Sequence, residues 1–328
     1  MAVPCVRVDR TAGEATRRRL AEAGLLAEQW DLDVADGSVY IPVTDPEAVP
    51  EDLPVVAHEA PPRDTQTMPA DLLDEEPSYE RLGDLAIIDV EEPEAAEAVA
   101  EAIWQSDLPV DGVLNRASKV KGETRTRDWE VLRGSTTRTV HREYGSAFHL
   151  DVDRVYFSPR LATERHRVVE QVEPGERVFD MFAGVGPFAI PMAKRGADVV
   201  GTDVNEAAID FFRENARRNG VEERVSAIAE DVRTVAPSYE DWADRIVMNL
   251  PHSAESFLES AIRIAGAEAR IHYYDIQHES APFEPGERAI RAAAEPTYEV
   301  SVATRHEVRT YAPHEVNVVL DVDLTRVE

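Results

Sequence analysis

Cysteine is nearly missing from this sequence: Cys5 is the only one in 328 residues. An internal disulfide and a cysteine-rich zinc site are thereby excluded, no metal is expected, and a reducing compartment fits best. Lysine is almost as scarce. It stands at positions 119, 121 and 194 only, so arginine carries nearly all of the positive charge. Uninterrupted apolar runs of membrane-spanning length are lacking, as is a basic-then-apolar N-terminus. The expectation is a soluble, cytoplasmic protein with no membrane partner.

What is abundant is acid. Asp and Glu number 64 against 35 Lys and Arg, for a net charge of -29. Such a balance normally argues against nucleic acid, because phosphate binding rests on Lys and Arg. Lysine scarcity on an acidic surface, however, has the character of adaptation to high salt, where screening weakens self-repulsion. Net charge then reports the solvent, and only local charge reports a partner.

The length implies two or three domains. Residues 1 to 60 form a small α+β unit, with a strand pattern at residues 3 to 8, a helical stretch from 12 to 27 carrying Arg17, Arg18 and Arg19, and the alternating "SVYIPV". After Thr44 the chain turns Pro-rich, acidic and aperiodic, and residues 61 to 78 are expected to be a linker. A second α+β domain spans residues 79 to 150. Its distal part gathers Arg116, Lys119, Lys121, Arg125, Arg127, Arg133, Arg138, His141 and Arg142 among few acids. They read either as surface arginines paired with carboxylates or as a phosphate-contacting face; the two clustered lysines favour the second. From 151 to 328 apolar strands alternate with helices. That order implies a doubly wound, mostly parallel α/β sheet of the Rossmann type, with an antiparallel edge from the last strands.

The first strand and turn of that domain read "DMFAGVGPFAI", residues 180 to 190. Gly184, Gly186 and Ala189 fit a loose dinucleotide pattern, and Asp203 ends the next strand where an acid holds a ribose, so a nicotinamide cofactor is one reading. Asp180 opposes it. A carboxylate at the first strand tip would face a pyrophosphate, whereas S-adenosylmethionine presents cationic groups there and no phosphate. Pro187 also removes one helix-terminal N–H that a pyrophosphate would use. Asp231, in "EDV", and Asn249 and Pro251, in "NLP", end the third and fourth strands. Singly they read as a helix cap and a turn former; in order at successive strand ends they make a cofactor and acceptor site.

With "VYFSPRLATER" ahead of the glycine turn, then "NLP" and "HYYDI", the chain resembles the archaeal and eukaryotic-type tRNA (guanine-37-N1)-methyltransferases. The N-terminal "CVRVDRTAGEATRRRLAEAGLL", the middle "KVKGETRTRDWEVLRG" and the C-terminal "TYAPHEVNVVLDVDL" extend the resemblance over nearly the whole chain. It implies a class I methyltransferase domain preceded by two small α+β domains, the first docking on tRNA. S-adenosylmethionine is the implied cofactor, tRNA with G at position 37 the partner, and a monomer the state. The resemblance assigns Arg160, Asp180, Phe182, Gly184, Asp203, Val204, Asp231 and Asn249 to the cofactor. It assigns Tyr156, Arg165, Pro251 and Arg125 to the base, and Glu164, Arg125 and Asn249 to catalysis, with Arg127 a rival for the arginine. The chemistry is coherent: N1 of neutral guanine carries a proton, so methylation needs a base, and a cation stabilises the charge that develops on O6.

Two alternatives stand beside it. One is the wybutosine-pathway enzyme that transfers an aminocarboxypropyl group from the same cofactor; the other is a non-catalytic RNA-binding protein.

Overall fold

Short stretches in which Val, Ile and Tyr alternate with polar residues build the N-terminal sheet, as their preference for a half-buried pleated surface requires. The computed structural model describes every residue except Met1, Asp64, Thr65, Val120, Lys121, Glu123 and Glu328, so Lys121 of the basic run lies outside the described residues. It divides into two compact units, Met1–Asp71 and Leu72–Glu328.

In the first unit, β1 (Val3–Asp9), β2 (Asp33–Ala35), β3 (Ser38–Pro42) and β4 (Val55–His58) form an antiparallel sheet ordered β2-β3-β1-β4. Helix α1 (Gly13–Glu22) buries Leu20 against Val6, Val39 and Ile41. The helix stops well before residue 27 because Gly24, at φ +67°, turns the chain, and Leu26 then pairs with Val43. Strand β4 lies within the Pro-rich stretch after Thr44. It is four residues long, too short for an alternating pattern to emerge from that composition.

The second unit begins with a sheet of β5 (Glu80–Leu82), β6 (Leu85–Ile88), β7 (Gly112–Arg116) and β8 (Trp129–Gly134). Helix α2 (Pro93–Gln105) covers one face, packing Ala96, Ala100 and Ile103 on Ala86, Ile88 and Val113. A hairpin follows, β9 (Arg138–Glu143) and β10 (Ser146–Asp151). Its second strand, β10, is pinned by two amides: the Asn215 Oδ1 accepts the His149 N–H at 2.7 Å, and the Asn219 Oδ1 accepts the Ala147 N–H at 3.1 Å. Both asparagines return a bond from Nδ2 to the carbonyl of the same residue.

After α3 (Ala162–Val169) come β11 (Arg177–Asp180), α4 (Ala189–Lys194), β12 (Asp198–Thr202), α5 (Glu206–Arg218), β13 (Val225–Ile228), α6 (Val232–Val235), β14 (Ala243–Met248) and α7 (Leu258–Ile264). The chain ends with β15 (Ala265–His278), α8 (Glu284–Ala294), β16 (Tyr298–Ala312) and β17 (Glu315–Arg326). Seven strands make one sheet ordered β13-β12-β11-β14-β15-β17-β16. The first five are parallel, while β17 runs antiparallel to both β15 and β16. Adjacent residues feed opposite cores: Tyr274 and Val319 join Phe188 and Ile190 on one face, Tyr273 and Leu320 join Ile290 and Leu258 on the other. This is the doubly wound sheet expected, and its strand order reverses between β11 and β14, where such sheets hold their ligands.

Candidate active site

The chain leaving β11 turns through Gly184 and Gly186, at φ +53° and +91°, before α4 begins. Glycine accepts these angles without strain. At Gly186 a Cβ would also lie 2.4 Å from the Phe212 ring, so glycine is what lets α5 close on the loop. The loop borders a cavity of about 1180 Å³ at the carboxyl edge of the large sheet, in the unit Leu72–Glu328. Phe182, Gly184, Asp203, Val204, Asp231, Asn249 and Pro251 all line it.

Asp203 ties two strand ends together. Its Oδ2 accepts the Gly184 N–H at 2.9 Å and its Oδ1 the Asn205 N–H at 2.8 Å, so each oxygen retains a lone pair for a ligand. Burial raises its pKa above the ordinary carboxylate value, against those two amide bonds. Asp180 lies behind the loop, 1% exposed, and is not on the cavity wall. Burial, opposed by the Phe182 N–H and helped by the nearby Asp203, pushes it up to about 7. Its Oδ2 meets no hydrogen-bond partner among the described residues, a loss worth about 1–3 kcal/mol when uncompensated.

Asp231 does cap α6, accepting the Arg233 N–H at 2.8 Å, and its side chain also pairs with the Arg233 guanidinium, which holds its pKa low. The cap reading and the cavity position therefore coexist. Asn249 and Pro251 follow β14, and the Pro251 carbonyl accepts the Ile276 N–H at 3.3 Å, fastening the turn to β15.

From the basic run, Arg116, Lys119, Arg125 and Arg127 line the same cavity. Arg116 pairs with Glu80 at 2.7 Å, Arg133 with Glu101 at 2.6 Å and Arg138 with Asp151 at 3.2 Å. Those three bear out the paired reading. Arg125 and Arg127 do not: both line the cavity, and neither has a carboxylate partner among the described residues. Arg125, itself at φ +53°, sits with its guanidinium 4.9 Å from the Tyr156 ring centre; Arg127 lies 5.4 Å from that of Trp129. Burial and the neighbouring Arg116 lower the pKa of Arg127.

Two further expected residues are away from the wall, and a third is occupied. Arg160 donates to Glu80 at 2.9 Å, on the oxygen that also holds Arg116. Arg165 lines the cavity, but its Nε and Nη2 fork onto Glu143 at 2.7 Å each and Nη2 also reaches the Ser158 carbonyl, leaving Nη1. Glu164 is buried in α3 and is not a lining residue. Both its oxygens accept from Arg167 at 2.8 Å, and Oε1 also accepts the Tyr274 hydroxyl at 2.7 Å. Burial, with Glu164 adding to it, keeps that phenol protonated.

Beyond Arg167 the polar contacts continue beneath the sheet. Arg167 donates to Asp321 at 2.6 Å, Asp321 lies 2.6 Å from His272 Nδ1, His272 Nε2 lies 2.8 Å from Arg245 Nη1, and Arg245 forks onto Glu176. An arginine only donates, so His272 accepts at Nε2 and carries its proton on Nδ1. Burial lowers its pKa, consistent with a neutral ring. Burial works against the charge of Asp321, yet its bonds from His272 and Arg167 hold it ionised far below the ordinary range.

The comparisons fall into line with this geometry. Residues 139–303 match the TRM5/TYW2 methyltransferase domain, residues 5–51 the tRNA methyltransferase 5 N-terminal domain and residues 65–137 the TYW2 N-terminal domain. The chain belongs to the TRM5/TYW2 methyltransferase family. It is 38% identical to the tRNA (guanine(37)-N(1))-methyltransferase Trm5b of Pyrococcus abyssi, over 96% of this chain and 97% of that protein. It is 36% identical to the tRNA(Phe) (4-demethylwyosine(37)-C(7)) aminocarboxypropyltransferase of Pyrococcus horikoshii, over 74% and 87%. Among solved structures, a complex of aTrm5 with tRNALeu superposes with a TM-score of 0.77 at 29% identity, over 98% of this chain and 99% of that one. The TYW2 of M. jannaschii in complex with AdoMet gives 0.62 at 27%, over 76% and 100%.

Within this TRM5/TYW2 site the residue reading missed the wall supplied by the last two strands, Arg309, Tyr311 and Asn317. The signal was present: an asparagine in "EVNVVLDV" is out of place in an otherwise apolar strand unless something holds it there.

Proposed function

We propose that this chain transfers the methyl group of S-adenosylmethionine to N1 of guanosine 37 in tRNA. The observation that carries the reading is a single cavity lined by Asp203, Asp231 and the Asn249 turn together with two arginines, Arg125 and Arg127, that have no carboxylate partner among the described residues. Matches to the first relative over both units, N-terminal domain included, favour methyl transfer over the aminocarboxypropyl alternative, whose relative covers three quarters of the chain.

The residues fit the cofactor. Asp203 offers two lone pairs to vicinal ribose hydroxyls, Asp231 an acceptor to the adenine amine, and the orphaned Asp180 oxygen a negative charge behind the loop. Bound there, S-adenosylmethionine supplies an electrophilic methyl group. Asn249 and the Pro251 carbonyl region orient the base, Tyr156 offers a face for an extruded guanine, and Arg125 stabilises charge on O6. Glu164 takes the N1 proton. To do so its carboxylate must turn from Arg167 and Tyr274 towards the cavity, so docking of the base and release of that clamp belong to one step.

The proposed setting is a salt-adapted cytoplasm, with the protein acting as a monomer. Incubation with labelled S-adenosylmethionine and tRNA transcripts bearing G or A at position 37, with the product nucleoside identified by mass, tests the function. 1-Methylguanosine from the G transcript alone is expected; an aminocarboxypropyl product, or none, overturns it.

A further inference from the structure

The Glu164 side chain is 4% exposed, so a proton it takes up does not pass straight to water. Its neighbours decide where that proton can go. Arg167 holds both carboxylate oxygens, but a guanidinium only donates and does not give up its charge. Tyr274 holds Oε1, and burial keeps its phenol protonated. Asp321 is buried and already tied to Arg167 and His272. Among the described residues that leaves His306, whose Nε2 lies 3.7 Å from the Glu164 Oε2 and whose side chain is 45% exposed.

One row of the large sheet produces this arrangement. Tyr274 on β15 pairs with Val319 on β17, and Val319 pairs with His306 on β16. Paired residues project to the same face of a sheet, and on this face Val168 and Val169 of α3 join Tyr274 and Val319 in one core. The Glu164 carboxylate therefore meets a phenol from one end of the row and an imidazole from the other. The ionisable groups around it are Arg167 on α3, Tyr274 on β15 and Asp321 on β17, while Thr304 and Val308, two residues to either side of His306, carry no charge. At 3.7 Å the imidazole stands just outside hydrogen-bond length, and rotation of so exposed a side chain brings it into reach.

We propose that His306 is the outlet through which the proton taken from guanine reaches solvent, so that Glu164 is restored as a base for the next tRNA. The inference rests on the function proposed above. In that reaction the N1–H bond breaks, N1 bonds the methyl carbon, the carbon–sulfur pair stays on sulfur and the proton goes to the Glu164 carboxylate. Glu164, now neutral, turns back from the cavity to Arg167, which favours the charged carboxylate over the acid. The proton passes to the lone pair on Nε2 of the neutral His306 ring, and the imidazolium releases a proton to water. Imidazole suits the task because it gains and loses a proton around neutral pH. One methyl group transferred delivers one proton to solvent, and His306 acts only through Glu164, without touching the substrate.

The test follows methyl transfer to tRNA bearing G at position 37 in single and multiple turnover, with an indicator dye reading the released proton, for the full chain and its variants. Calorimetry with S-adenosylmethionine and thermal melting accompany each variant. His306→Ala should leave cofactor affinity and the single-turnover rate close to wild type, because Glu164 begins as the charged base. Later turnovers should slow by about tenfold or more, with proton release lagging behind the first methyl transfer. Imidazole added to the solution should restore both. His306→Gln, polar but unable to relay a proton, should behave as His306→Ala does. Wild-type multiple turnover and proton release in both variants overturn the inference and leave the function standing. So does a slowing that imidazole does not relieve, or an equal loss in single turnover, either of which makes His306 a structural residue. Near-native single turnover in Glu164→Gln removes the base and the inference with it, while methyl transfer to N1 stands. No methylated product from the wild type overturns the function and the inference together.

Discussion

The Asp203 carboxylate accepts the Gly184 N–H at 2.9 Å, so the end of the second parallel strand holds the glycine loop of the first in shape. A ligand that bonds Asp203 therefore bonds a preformed loop. Asp203→Ala removes both the proposed ribose contacts and this brace, and cofactor affinity should fall by roughly 2 to 4 kcal/mol in calorimetry. Unchanged affinity would mean that the ribose lies elsewhere.

On the proposed placement of the cofactor, Asp180 is expected to make its binding pH-dependent. An acid whose pKa rises on folding, from 3.8 to about 7, favours the fold while protonated, and that contribution is lost as pH climbs through about 7. The protein without ligand should lose melting temperature between about pH 4 and 7, and Asp180→Asn should flatten the curve. A cationic ligand favours the ionised form, so S-adenosylmethionine should bind more tightly as pH rises across that range, with release of a proton. S-adenosylhomocysteine, which has no sulfonium, should show a weaker dependence; identical slopes for the two ligands would remove Asp180 from the account.

Glu164→Gln preserves size and an acceptor for the Tyr274 hydroxyl but removes the proposed base. Single-turnover methyl transfer should drop by about two to four orders of magnitude, with cofactor affinity little changed. Near-native single-turnover rates would leave Glu164 as a structural partner of Arg167 and send the search for the base elsewhere.

A chain starting at Leu72, the boundary between the two compact units, should still bind S-adenosylmethionine and lose mainly apparent tRNA affinity. If it is as efficient as the intact chain at subsaturating tRNA, the first unit has another task.

The large sheet was legible because its strands are buried on both faces and read as continuous apolar runs between helices, "RVFDMF", "DVVGTDV" and "DRIVMNL" among them. Asp203, Asp231 and Asn249 were legible for the same reason: a polar residue that ends such a run lies at the sheet edge by construction. Asn317 could be noticed as a polar residue in an apolar strand but not placed, because only the pairing of β17 with β15 brings it beside the Asn249 turn. Arginine partners were equally invisible. Arg116 and Arg125 stand nine residues apart in one basic run, and nothing local distinguishes the first, neutralised by a glutamate 36 positions earlier, from the second. Glu164 shows the converse, since its position at the start of α3 was plain while its clamp by Arg167 and Tyr274, one of them 110 positions away, was not.

The polar contacts beneath the sheet join Glu164, Asp321 and Glu176 to Arg167 and Arg245 around a neutral His272. His306 Nε2 lies 3.7 Å from Glu164, and Gln171 links Asp321 to Arg270, so the array reaches further cationic groups at both ends. Turning Glu164 out towards the cavity, as the proposed mechanism requires, leaves Asp321 as the carboxylate that still holds Arg167. On the proposed mechanism, the residue that keeps Arg167 from following the base into the cavity is then Asp321, 154 positions further along the chain.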